Sequence, residues 1–127
     1  MPKEGRNRGQ ISAAGQTASA TGQYVLGAGW GASTQVVSAG SNDIAGQLVV
    51  PAVTGGGLAQ ATATCVFTFA TPYAAAPRMC IAFQTNDNDI TKAGPLAWSV
   101  TTTALTLTQL TIPVNGGVYK LNYTLVA

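Results

Sequence analysis

The clearest pattern closes the chain, where Tyr119, Leu121, Tyr123 and Leu125 alternate with Lys120, Asn122 and Thr124. A period of two puts successive side chains on opposite faces of an extended strand, so one apolar and one polar face are predicted there. The alternation recurs upstream. Cys65, Phe67 and Phe69 share a face against Val66 and Thr68, and Met79, Ile81 and Phe83 share one against Cys80 and Ala82. Leu105 and Leu107 alternate with Thr106 and Thr108, and Leu110 and Ile112 continue the run until Pro113. Shorter apolar pieces at Tyr24-Val25-Leu26, Gln35-Val36-Val37, Gly46-Gln47-Leu48-Val49-Val50 and Trp98 to Val100 complete a set of seven or eight strands.

Turn chemistry separates them. Gly27-Ala28-Gly29-Trp30-Gly31 places a glycine-flanked tryptophan in a turn, and Ser41-Asn42-Asp43 has short polar side chains that bond their own backbone. Pro72 and Pro77 forbid a continuous ladder between the two central strands. Thr101-Thr102-Thr103-Ala104 and Asn115-Gly116-Gly117 read as turns, the second of hairpin type. No segment repeats apolar residues at helical spacing. Short strands with turns every 8–12 residues predict an all-β fold, an antiparallel β-sandwich that is jelly-roll-like. By the alternation argument Phe67, Phe69, Ile81, Phe83, Leu105, Leu107, Leu121 and Tyr123 form its core.

Residues 1–22 differ. Gly5, Gly9, Gly15 and Gly22 lie among Ser, Thr, Ala, Gln and Asn, with too few apolar side chains to close a core, so this stretch reads as a flexible N-terminal arm before a sandwich domain at 23–127. Charge sharpens the division. Charged residues make up 8% of the chain, against about 25% in an ordinary soluble domain. Lys3, Arg6 and Arg8 against Glu4 give the arm a net +2, while Arg78, Lys92 and Lys120 balance Asp43, Asp87 and Asp89. A surface so poor in charge has little protection against association, which implies that partners cover it. The cationic excess lies in the arm rather than along a groove with aromatic platforms, so no nucleic-acid partner is expected. No apolar run approaches the length of a membrane span, and the start lacks the apolar stretch of a signal peptide, so no membrane partner is expected and synthesis in a cytoplasm is.

Candidate chemistry is thin. The chain has no histidine, so the commonest general base is missing, and four carboxylates are spread over the arm, a turn and one loop. That loop, Asn86-Asp87-Asn88-Asp89, clusters oxygen ligands but lacks the spacing of a calcium site and is read as a solvated turn. Gly55-Gly56-Gly57 lacks the Lys-Ser/Thr of a phosphate-binding loop. Cys65 and Cys80 sit in apolar strands and are read as buried free thiols, with a disulfide left open. No catalytic residue, cofactor or metal is expected.

Three pieces carry a family resemblance. Ser41-Asn42-Asp43-Ile44-Ala45-Gly46-Gln47 opens the domain and Thr64 to Pro77, reading TCVFTFATPYAAAP, occupies its middle. Trp98 to Leu107, reading WSVTTTALTL, and Val118-Tyr119-Lys120-Leu121-Asn122-Tyr123 close it. This order resembles a small β-sandwich module of tailed bacteriophages, found in head decoration (cement) proteins and in the C-terminal domains of tail fibres and tailspikes. The resemblance covers about residues 38–126 of the 127, and its motifs are turn and core positions. It implies a non-enzymatic virion structural protein. Because Met1 starts the chain without a fibrous shaft, a capsid decoration protein is expected, one that binds and stabilises a shell of major capsid protein at the capsid surface after assembly in the host cytoplasm. Lys3, Arg6 and Arg8 are its expected capsid contacts. Self-association is expected too, as a homotrimer in preference to a dimer. The alternative is a tail-fibre or tailspike tip binding a host receptor glycan, with Trp30, Tyr73 or Trp98 stacking on sugar.

Overall fold

In the computed structural model the closing alternation becomes the longest-paired strand of a two-layered β-sandwich. The structure describes residues 24–38, 41, 43–55, 58–59, 63–86 and 94–126. The eight strands are β1 (Tyr24–Leu26), β2 (Val36–Val37), β3 (Ala45–Val50), β4 (Thr64–Thr68), β5 (Met79–Asn86), β6 (Leu96–Val100), β7 (Ala104–Gln109) and β8 (Tyr119–Val126). One sheet has the order β1-β4-β7-β6 and the other β2-β3-β8-β5, with antiparallel pairing throughout. The β2–β3 and β6–β7 connections stay within a sheet, and the others cross between the two layers. The fold is thus the all-β sandwich the alternation predicts.

The core forms where the inner faces meet. Tyr119, Leu121, Tyr123 and Leu125 of β8 are buried, as are Cys65 and Phe67 of β4, and Leu105 and Leu107 of β7. Phe67 is central. Its ring stacks on Tyr24 at 4.5 Å between centroids, meets Phe69 edge-on at 5.4 Å and lies 5.5 Å from Tyr123. The glycine-flanked Trp30 sits in a single 3-10 turn (Ala28–Trp30) and is fully buried against Tyr119, with its indole N–H donating to the Thr64 carbonyl.

Two of the expected core residues are not in it. Ile81 is 54% exposed and Phe83 57% exposed, with Met79 beside them at 44%. The register explains the reversal. Residues directly opposite across a ladder share a face, and Ile81 faces Thr124 while Phe83 faces Asn122, both on the outer side of β8. The inner set of β8 instead pairs with Cys80, Ala82 and Gln84. Ala82 is the residue opposite Tyr123.

One turn assignment and one strand reading also change. Asn115-Gly116-Gly117 is no hairpin, since β7 and β8 belong to different sheets. It is a turn within the crossover, closed by Gly117 N–H to Val114 O at 2.9 Å, with Gly116 at φ 79° as a type II turn requires. The strand reading of Leu110 and Ile112 fails, because β7 ends at Gln109 and both side chains are exposed. The arm at 1–22, with Lys3, Arg6 and Arg8, lies outside the described residues.

Candidate functional site

Asp43, Gly46, Tyr73 and Tyr123 meet at one corner. Asp43 precedes β3 and is fully buried. Its carboxylate accepts the backbone N–H of Ala70 at 2.9 Å and of Thr71 at 3.0 Å, and its backbone carbonyl accepts the Tyr73 hydroxyl at 2.7 Å. The proline-interrupted link after β4 cannot use a ladder, and Asp43 satisfies it instead. Tyr73 also packs edge-on against Phe69 at 5.0 Å, and burial, with the Asp43 charge adding to it, raises its hydroxyl above the usual tyrosine range.

Gly46 is the second fixed point. A Cβ built there lies 2.6 Å from the Tyr123 hydroxyl and 2.7 Å from Ser41 Cβ, so a side chain has no room. That space holds the Tyr123 hydroxyl against the Tyr24 hydroxyl at 2.7 Å, a buried pair joining the two sheets. Burial, reinforced by Tyr24, keeps Tyr123 protonated well above the ordinary range. The corner is therefore a structural clamp whose polar atoms are spent on one another.

Nucleophilic chemistry fares no better among the described residues. Cys65 and Cys80 are free and buried, on strands of different sheets. Burial pushes the Cys65 thiol up to about 12 and that of Cys80 to about 11, a hydrogen bond with the Thr124 backbone pulling the second slightly back. Both hold their protons to higher pH than in the unfolded chain, so folding stability is unaffected below about pH 9 and falls above it. For Cys65, the more deeply buried, the expected loss is about 1.4 kcal/mol per pH unit between about pH 9 and 12, and for Cys80 it is smaller because solvent screens it. Urea unfolding from pH 7 to 11 checks this, and rapid reaction of either thiol with Ellman's reagent at pH 8 in the native protein contradicts it. No group of three or more His, Cys, Asp or Glu suited to a metal occurs among the described residues. Asp87 and Asp89 lie outside them.

Of the rings expected to meet sugar, Trp30 is removed by burial, and Tyr73 is half-buried and engaged with Phe69 and Asp43. Trp98 is 41% exposed. Two buried polar residues carried no sequence signal: Gln84 of β5 donates from Nε2 to Gln109 Oε1 of β7, and Gln109 Nε2 donates to Thr111 Oγ1 at 2.7 Å. Their amides sit at inward positions of alternating strands, where only the position, not the residue type, points inside.

The surface is distinguished by what covers it. Of the charged residues described, Asp43 is buried, which leaves Arg78 and Lys120 to reach solvent. Met79, Ile81 and Phe83 instead form an apolar row along the outside of β5. No helix among the described residues is long and apolar enough to cross a membrane. Comparison with protein-family models, curated proteins and solved structures gives no match.

Proposed function

We propose that the chain is a structural, non-enzymatic protein of a virus particle: a capsid decoration protein that binds and stabilises a shell of major capsid protein. The observation that carries this reading is the separation of charge. The described sandwich presents only Arg78 and Lys120 as charged side chains, whereas the first ten residues hold a net +2. A nearly neutral module suits a crowded lattice in which subunits cover one another, and the cationic arm supplies the attachment. Lys3, Arg6 and Arg8 pair with carboxylates of the shell, an attraction that weakens as salt rises. Extended, an arm of 22 residues reaches up to about 75 Å, enough to cross onto a neighbouring subunit.

The glycan-binding alternative loses Trp30 to the core and keeps Trp98 as its exposed ring. Deleting residues 2–22 tests the decoration reading. The truncated domain is expected to fold with an unchanged melting temperature and to lose sedimentation with undecorated, expanded capsids. Capsid binding as tight as that of the full chain removes the arm from the mechanism.

A further inference from the structure

A sandwich leaves four strand edges, and three of them here are short. β1, β2 and β6 have three, two and five residues, and β6 is preceded by Pro95. β5 is the exception, with eight residues, no proline and no charge within Met79–Asn86. Every second residue of an edge strand turns its N–H and C=O away from its neighbour, and folded proteins blunt such edges with lysine, proline or brevity. β5 has none of these. Among the described residues, no backbone group of Met79–Gln84 is bonded outside the β8 ladder except the Phe83 carbonyl, which the Asn122 side chain reaches at 3.4 Å.

We propose that β5 is a homodimer surface, on which β5 of a second copy adds antiparallel about a two-fold axis at Ile81. The register follows from the side-chain period. Opposed residues must share a face, so an offset by one residue would place the apolar row of one copy beside the buried face of the other. Among the allowed registers, centring on Ile81 sets Ile81 against Ile81 of the second copy and Met79 against Phe83 of the second copy, twice by symmetry. Centring on Ala82 leaves Met79 facing Thr85 of the second copy. The Ile81 register also gives each phenylalanine a sulfur contact. An isologous surface of this kind closes as a dimer, not as the trimer expected from the sequence.

Trp98 supplies an independent mark on the same side of the molecule. It lies opposite the buried Leu107 and so faces inward, yet it is 41% exposed, and its strand β6 is the edge of the other sheet that packs beside β5. Met79, Ile81, Phe83 and Trp98, each about half exposed, offer roughly 400 Å² of apolar surface per copy. A standard interface buries about 800 Å² per partner, somewhat more than half of it apolar. The flanks of these side chains supply part of that apolar area, and the backbone groups along the β5 edge supply the polar part. This inference stands apart from the capsid reading, since the surface serves two copies in solution.

Sedimentation equilibrium of the full chain between about 1 and 200 µM tests it, a range that spans weak specific association. The wild type is expected to shift from monomer to dimer. Ile81→Lys opposes two like charges across the axis and is expected to weaken the dimer at least about 100-fold with an unchanged melting temperature, while Ile81→Val retains it. As a second readout, Ile81→Cys is expected to cross-link to itself through a short bismaleimide, whereas Val25→Cys on the edge strand β1 is not. The native thiols, buried and protonated, give little background. A wild type that stays monomeric throughout, a trimer, a dimer indifferent to Ile81→Lys, or equal cross-linking at positions 25 and 81 overturns the proposal.

Discussion

Replacing Phe67 with Ala is expected to destabilise the sandwich by about 3–5 kcal/mol, while Phe83→Ala changes stability of the monomer by less than about 0.5 kcal/mol. Both are phenylalanines within strands, so the contrast isolates burial. Phe67 is 1% exposed and touches Tyr24, Phe69 and Tyr123, from three segments of the chain. Its removal deletes those contacts and leaves a cavity that two sheets pinned by continuous ladders cannot close. Phe83 has 57% of its surface in water already and leaves no cavity behind. Urea unfolding at a protein concentration low enough to keep the chain monomeric measures both. Equal losses in the two variants would place the inner face of β5 wrongly.

The second large effect belongs to Asp43. Asp43→Ala is expected to cost about 2–4 kcal/mol, since hydrogen bonds to a charged acceptor are the stronger kind and two are lost at once. Asp43→Asn keeps one acceptor oxygen and is expected to recover about half of that. Tyr73→Phe, which removes the hydroxyl bonded to the Asp43 carbonyl, is expected to cost about 1 kcal/mol. The rank order Ala, Asn, then Phe in decreasing damage distinguishes a clamp from a solvated turn residue. A midpoint shift near zero for Asp43→Ala would mean that the link from Ala70 to Pro77 is held by its own packing.

Much of the architecture was legible along the chain. β4, β7 and β8 place apolar residues at alternate positions, with Gln109 at the end of β7 as the exception, and Thr106, Thr108, Lys120, Asn122 and Thr124 make the opposite face of β7 and β8 mainly polar, so the inward face has one solution. The prolines at 72, 77 and 113 and the Thr101–Ala104 turn marked breaks that the structure keeps. The motif residues Asp43, Gly46 and Tyr73 were visible as a group, but their roles were not, because an acceptor for Ala70 and Thr71 and a space for Tyr123 exist only after distant segments meet.

β5 shows where local pattern stops being sufficient. Its sequence, Met-Cys-Ile-Ala-Phe-Gln, is apolar on both faces over five residues, so alternation alone offers two solutions, and the larger side chains suggest the wrong one. The choice fell to β8, whose polar and apolar faces are unambiguous and whose register carries Cys80, Ala82 and Gln84 inside. The same holds for Asn115-Gly116-Gly117, where glycine chemistry specified a reversal of the chain but not which sheet received the next strand. Period and turn chemistry are properties of neighbours in sequence, and they determined the strands and their breaks. Face, sheet partner and exposed edge depend on pairing between residues far apart in the chain, and these the tertiary structure alone decided.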